Sequence, residues 1–517
     1  MIPLLKMQKS RSSLALAFVS GIVMGLATAP LNAFPLAWVA LVPLWVLVFN
    51  GKGTRRQRLG LTIAWGLGYH GLALSWITGL HPLTFLGFSW AASVAIVGFC
   101  WFFITAWGAA LVAIWAWATR TLTRNLPAFT RIIVGVAIWC GLEVLWSQGS
   151  LYWTALSYTQ SPSNLAILHL GQLSGSSIVT GAIVAVNGLL AEAWISAQTS
   201  TQGSRRYLGS AIALLLSLHL LGWGLYAQPI EQSPAAALKV GIVQGNVPTR
   251  IKLSEEGLRR SVAGYVGGYE RLAQKVDAVL TPEGALPMLW GSSTHPFYQS
   301  VLQTKTLAWL GTFVPEADGI TQSLLTIAPN GEVLSRYNKI KLVPLGEFIP
   351  FKEVLGKVVG RLSSIRFGIV PGTSSQRFDT PFGRAIASIC YESAFPELFR
   401  AQAADGGQFI LTASNLDPYS EVLMAQHQAQ DIMRAIETDR WAARATNTGY
   451  SSILNPHGEV IWRSQPRTYE IHAATIYRRQ TQTLYVRWGD WFLWLMLALG
   501  AIVVVYYRFR PRQLSRS

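Results

Sequence analysis

A thiol, carboxylates and amines occur in this sequence at the points where buried strands should stop. Ala385-Ile386-Ala387-Ser388-Ile389 is a short, mostly apolar run that halts at Cys390-Tyr391-Glu392. Ala278-Val279-Leu280 likewise gives way to Thr281-Pro282-Glu283, and Phe409-Ile410-Leu411-Thr412 to Ala413-Ser414-Asn415. Runs of this kind, without polar alternation, suit strands covered on both faces. In open α/β sheets the reactive groups collect at the carboxyl ends of strands, where the chain leaves the core. Between these runs, Tyr337-Asn338-Lys339-Ile340-Lys341 leads on to Glu347 and adds two amines and a further carboxylate. Thiol, carboxylate and amine together are the parts that nucleophilic acyl chemistry requires. Singly, each is a weaker sign: a lone cysteine is commonly an inert small core residue.

Residues 227–487 carry all of these groups and read as one α/β domain. Candidate strands are Leu238–Val243, Ala278–Leu280, Leu307–Gly311, Ser323–Ile327, Ala385–Ile389, Phe409–Thr412 and Ser451–Asn455. Asn330-Gly331 is a hairpin turn between alternating strands. Helical spacing runs through about 254–276 and 421–445.

The flanks are different. Half of the 517 residues are apolar, only 13% are charged, and there are 21 tryptophans, a composition suited to a membrane protein with aromatic belts. Apolar segments at 12–30, 35–50, 59–80, 85–117, 132–147, 164–195, 207–226 and 488–507 are near or above the roughly 20 residues that span a bilayer. The predicted organisation is a helical transmembrane domain at 1–226 with about seven helices. The outward-facing domain at 227–487 follows, then a last transmembrane helix and a basic cytoplasmic tail at 488–517. Outside 227–487 the chain holds sixteen Lys or Arg residues, and eight spans put all of them on one side. The alternate loops near 31–34, 81–84 and 148–163 carry none, the positive-inside pattern. Most of the net charge of +17 is therefore topology charge, and nucleic acid is not an expected partner.

The full set of motifs resembles the nitrilase superfamily, and within it one membrane-embedded branch, the apolipoprotein N-acyltransferase family. The resemblance lies in Ile242-Val243-Gln244-Gly245-Asn246-Val247-Pro248, Pro282-Glu283, the stretch from Leu342 to Pro350 around Glu347, Cys390-Tyr391-Glu392, Arg444-Ala445-Thr446-Asn447-Thr448-Gly449 and Tyr485-Val486-Arg487-Trp488-Gly489-Asp490-Trp491. These occur in the family's order, and the apolar flanks extend the match over nearly the whole chain. The resemblance implies an α-β-β-α sandwich and a Glu-Lys-Cys triad of Glu283, Lys339 and Cys390. Cys390 is then the nucleophile that holds an acyl group as a thioester, and Glu283 the general base. Lys339 is the ammonium that stabilises the oxyanion, helped by the backbone N–H of Tyr391. Lys341 competes by proximity, but the eight-residue spacing from Lys339 to Glu347 is the one that matches the family. Glu347 and Glu392 are supporting groups that orient Lys339 and tune charge. The sequence departs from the family at Thr281, Leu253 and Leu416–Tyr419, loops that would contact substrate.

The implied reaction moves a fatty acyl chain from a membrane phospholipid to the N-terminal amine of a diacylglyceryl-cysteine apolipoprotein, in the bacterial cytoplasmic (inner) membrane. A monomer is expected. The alternative is a membrane-anchored amidase or hydrolase that uses the same triad on water; seven spans before the domain argue against it, because one would anchor a hydrolase. A transporter or receptor is disfavoured because Glu143, Glu192 and Asp490 are the only acids outside 227–487, and ion-coupled transport needs intramembrane ionisable groups. The eight histidines show no metal-ligand spacing, so neither metal nor cofactor is expected. Residues 350–366 place Val354, Leu355, Val358, Val359, Leu362 and Ile365 at helical spacing beside Lys352, Lys357, Arg361 and Arg366, which suits an amphipathic lid at the membrane surface.

Overall fold

The computed structural model describes residues 2–50, 53–291, 294–344, 346–348 and 368–510. The proposed lid lies outside these residues. The chain divides into two compact units: one takes the chain up to Ser75, Phe99–Ala227 and everything from Trp488, the other Trp76–Gly98 and Gln228–Arg487. Residues 76–98, which hydropathy groups with the spans, thus cluster with the α/β domain.

Among the described residues, five helices are long and apolar enough to cross a membrane: Trp90–Leu122, Ala128–Ser147, Ser176–Ala197, Thr201–Tyr226 and Trp491–Phe509. The other apolar segments are realised differently. The first forms part of a helix over Ile2–Gly25, and 59–80 forms Arg55–Ala73, started by a Thr54/Gln57 capping box. Residues 35–50 split into a 3₁₀ turn, Phe34–Trp38, and a short helix, Val42–Phe49, with Pro43 in its first turn. The 164–195 run breaks at Gly175, whose φ is 70°, so that one long helix begins only at Ser176. By contrast, Trp90–Leu122 is continuous over 33 residues, about 50 Å at 1.5 Å per residue.

Helices Ile2–Gly25 and Arg55–Ala73 pack closely because small residues face each other. A Cβ on Gly21 would lie 2.1 Å from the Trp65 carbonyl oxygen, and one on Gly68 2.3 Å from that of Phe18. This is the small-residue contact that lets apolar helices approach where no hydrophobic effect drives them together. Trp65, Trp115 and Trp139 form the unit's buried aromatic centre, with edge-to-face pairs at 6.0 and 4.9 Å. Phe99, Phe102, Trp194, Trp223 and Trp494 lie exposed, an apolar exterior of the kind that faces lipid.

The second unit contains two six-stranded sheets among the described residues. In chain order the strands are β1 (Ala237–Gln244), β2 (Ala278–Leu280), β3 (Leu307–Glu316), β4 (Gly319–Ile327), β5 (Val333–Asn338), β6 (Phe378–Thr380), β7 (Gly383–Ile389), β8 (Phe409–Ser414), β9 (Ala442–Thr446), β10 (Ser452–Leu454), β11 (Val460–Arg463) and β12 (Glu470–Tyr477). The sheet orders are β12-β1-β2-β3-β4-β5 and β11-β10-β9-β8-β7-β6. The centres, β1-β2-β3 and β7-β8-β9, are parallel and the edges antiparallel. Strands β2, β7, β8 and β9 are buried throughout or nearly so, which is why they read as unbroken apolar runs. Tyr265, Tyr269, Phe297 and Val301 pack from flanking helices onto Val243, Val279, Ala308 and Leu310 of the first sheet. The α-β-β-α sandwich is thus the observed architecture. One helix is shorter than its pattern suggested. Glu421–Thr438 ends at Asp439, which turns left-handed at φ 54°, and Ala442–Thr446 is a strand rather than the tail of a 421–445 helix.

Candidate active site

Five strands end at the same place. Glu283 lies three residues past β2, Lys339 directly after β5, Cys390 after β7, Asn415 after β8 and Asn447 after β9. Lys339 is fully buried. Its Nζ donates to Glu283 Oε1 at 2.8 Å and to Glu347 Oε1 at 2.5 Å. The other oxygen of each acid is also held, Glu283 Oε2 by the Asn415 N–H at 3.1 Å and Glu347 Oε2 by the Val343 N–H at 2.9 Å. Burial works against a charged amine here. Glu283 and Glu347 together outweigh it and hold the Lys339 pKa well above its ordinary value. Lys341, the competing amine, instead lies over the Phe395 ring at 4.7 Å.

Cys390 begins a 3₁₀ turn, Cys390–Ala394, with φ at 53°. A non-glycine residue in the left-handed region is uncommon and costs strain that its surroundings must hold. The thiol is 6% exposed and lies 3.8 Å from the Asn415 carbonyl oxygen. Burial, then the charge of Glu283, pushes its pKa up; Lys339 pulls the other way. The balance favours the protonated thiol.

Glu392 holds this turn. Its Oε2 accepts from the Ile389 N–H at 2.7 Å and the Tyr337 hydroxyl at 3.1 Å, and its Oε1 from the Ile340 and Lys341 N–H groups at 2.5 and 3.3 Å. One carboxylate thus ties the thiol's turn to the segment that carries Lys339. Its burial pushes the carboxyl up to about 7. Tyr391 is largely buried, with its ring edge-on to Phe395 at 5.1 Å.

Behind the thiol is a network that the sequence did not announce. Ser393 Oγ donates to Asp431 Oδ1 at 2.6 Å, Asp431 pairs with Arg444, and Arg444 Nη1 donates to His427 Nδ1 at 2.9 Å. A further hydrogen bond joins His427 to the Cys390 main chain, and burial holds the ring well below its usual pKa. The departures from the family pattern lie as follows. Thr281 is buried and accepts from the Gly311 N–H at 3.0 Å. Leu416 is buried, and Tyr419 meets the Trp76 ring edge-on at 5.5 Å. Leu253 is largely exposed, next to the buried Lys252. The described residues contain no group of His, Cys, Asp and Glu placed to hold a metal.

A buried ammonium between two carboxylates, beside a thiol at a strand end, is a site equipped for acyl capture, and the sandwich around it defines the carbon-nitrogen hydrolase class. The family model of that description matches residues 240–485, and a second, the apolipoprotein N-acyltransferase N-terminal domain, matches 20–189. Apolipoprotein N-acyltransferase of Nostoc sp. is 55% identical over 482 residues, covering 92% of this chain and 96% of its own length. That of Synechocystis sp. is 46% identical over 510 residues, covering 93% and 98%. Among solved structures, Saccharomyces cerevisiae Nit3, of the nitrilase superfamily, aligns over 55% of this chain and 99% of its own, with TM-score 0.38 and 16% identity. The chain belongs to the apolipoprotein N-acyltransferase family.

Proposed function

We propose that this protein transfers a fatty acyl chain from a membrane phospholipid to the N-terminal amine of S-diacylglyceryl-cysteine lipoproteins, through a thioester on Cys390. The observation that carries the reading is Lys339, held fully buried between Glu283 and Glu347 beside the thiol, in a chain of this family that also bears five apolar helices of spanning length. In the first half-reaction Sγ attacks the donor ester carbonyl while Glu283 takes the thiol proton. The oxyanion forms near the Lys339 ammonium and the Tyr391 N–H. Its collapse breaks the ester C–O bond, and the proton on Glu283 goes to the departing alkoxide, which leaves as a lysophospholipid. In the second half the acceptor amine attacks the thioester and gives a proton to Glu283. The C–S bond breaks, the thiolate is reprotonated, and the product is an amide.

The basic residues outside 227–487 support both termini on the cytoplasmic side of a bacterial inner membrane, with the catalytic domain facing outward. The apolar helical segments within Ile2–Gly25, Phe34–Phe49 and Arg55–Ala73 would join the five long helices to give eight spans. The test is intact-mass spectrometry after incubation with phospholipid, followed by addition of a diacylated lipopeptide. An acyl adduct on Cys390 that disappears as a third chain forms on the peptide supports acyl transfer. Release of free fatty acid with no third chain favours the hydrolase.

A further inference from the structure

The catalytic unit buries a second lysine whose donors are unspent. Lys252 ends the short helix Thr249–Lys252 and is 7% exposed. Its segment is fixed from several sides. Thr249 N–H donates to Asp417 Oδ2 at 2.5 Å, Val247 N–H to Asn447 Oδ1 at 2.8 Å, and Asn447 Nδ2 to the Val247 carbonyl at 2.7 Å. A Cβ on Gly257 would lie 2.7 Å from the Lys252 Cα, so the next helix presses directly on this turn. The amine is thereby held against the base's own loop: a Cβ on Gly284 would sit 3.7 Å from Lys252 Nζ.

Glu283 and Asp417 act on this amine through their fields. Yet neither forms a hydrogen bond or ion pair with the Lys252 amine among the described residues. Their carboxylates instead hold the surrounding frame: Glu283 accepts from Lys339 and the Asn415 N–H, and Asp417 Oδ2 from the Thr249 N–H. Burial lowers the Lys252 pKa to about 8, as expected for an amine withdrawn from most of its water with no close partner in its place. A buried ammonium without an acceptor is costly, and an anion brought by a substrate would satisfy it through charge-assisted hydrogen bonds.

We propose that Lys252 receives the phosphodiester of the acyl donor, an assignment that rests on the acyl-transfer reading above. The donor phospholipid carries that fixed negative charge on the same glycerol as the ester to be cleaved. The N-terminal diacylglyceryl-cysteine of the acceptor offers an amine, a thioether and uncharged esters. An ammonium beside Gly284 therefore selects the donor by its head group and sets the distance between phosphate and reacting carbonyl.

The experiment compares two donors with one diacylated lipopeptide acceptor, using the full chain in detergent micelles. One donor is phosphatidylglycerol; the other is an uncharged p-nitrophenyl ester of the same fatty acid. In Lys252→Met, kcat/KM should fall about 10- to 100-fold further for phosphatidylglycerol than for the uncharged ester, mostly through KM, as expected for loss of a hydrogen bond to a charged group. Lys252→Arg should recover part of the phospholipid activity. Equal losses on both donors, or no loss on either, would overturn the assignment. Failure of the unmodified protein to acylate the lipopeptide from either donor would instead remove the acyl-transfer reading itself. A thermal unfolding midpoint for Lys252→Met near that of the parent keeps the comparison free of misfolding.

Discussion

The two units of this protein treat buried charge in opposite ways. In the helical unit each acid is saturated by partners built for it. Glu192 takes Arg131 through two hydrogen bonds of 2.8 Å and the Trp45 indole at 3.1 Å. Glu143 accepts from Trp139, the Leu156 N–H and Thr180. Asp490 accepts from Ser174, Ser177 and the Leu493 N–H, capping the final helix. These groups have nothing left to give a reaction, which fits a role in fixing helix positions where unpaired charge is expensive. In the catalytic unit, charges of both signs are crowded together: one ammonium is shared by two carboxylates, with a thiol and a second amine nearby. The same residue types act as fasteners in one unit and are proposed as reagents in the other, and the difference is whether an acid has its own partners or shares one ammonium with a second acid.

That contrast can be broken by substitution. The largest effect is expected at Cys390. Cys390→Ser should lower transfer by ~10⁴ or more and abolish the acyl adduct, because a buried hydroxyl is far harder to deprotonate than a thiol. Cys140→Ser, in the helical unit, should keep near-parental activity in the same lipopeptide assay. Next comes Glu283→Gln, for which single-turnover acylation should slow by about 10²–10⁴, the usual worth of a positioned base. An unchanged burst of acyl-enzyme would move the role of base to Glu347 or Glu392.

Glu392→Gln should be milder, about 10- to 100-fold in acylation, since an amide can accept only part of the four donors that the carboxylate holds. It also carries a pH signature. Burial raises this carboxyl to about 7, so it is protonated below that pH and can no longer accept all four donors. The parental acylation rate should therefore rise as pH increases through about 7, and Glu392→Gln should flatten that rise. A retained inflection would assign it to another group. The smallest effect on rate is expected at Glu192→Gln. It should leave acylation near the parental value in protein that remains folded, while lowering stability by about 3–5 kcal/mol as Arg131 loses its counter-charge. Calorimetry alongside the lipopeptide assay separates the two effects, and a selective loss of rate would show that the helical acids are not mere fasteners.

Much of this was legible in the residue order, for physical reasons. Strands such as Ala385–Ile389 and Phe409–Thr412 are covered on both faces, so their burial is written as an apolar run, and their ends are marked by the first polar groups. The apolar flanks likewise showed a chain rich in long apolar helices. What stayed hidden depends on distant contacts. Residues 421–445 keep helical spacing throughout, and only the left-handed turn at Asp439 diverts Ala442–Thr446 into a sheet. Residues 35–50 have the composition of a span but are divided by the turn before Pro43. Nothing local signals that residues 76–98 cluster with the catalytic unit, or that Arg444 of β9 meets His427 and Asp431, one helical turn apart, behind Cys390. Lys252 looks like any surface lysine until Gly257 and Asn447 fix its turn against the Glu283 loop.

The origin of the proposed catalytic groups has a last consequence. Glu283 and Lys339 follow strands of one sheet, and Cys390 and Asn415 strands of the other. The reactive centre is therefore a seam, and neither sheet owns it. A slip of one sheet against the other by an ångström would part thiol from base while leaving every strand intact. Enzymatic activity should then serve as a gauge of how well the two halves of the sandwich are joined. On gentle heating it should vanish while far-ultraviolet dichroism is still unchanged, because the alignment of the halves gives way before the ladders within each.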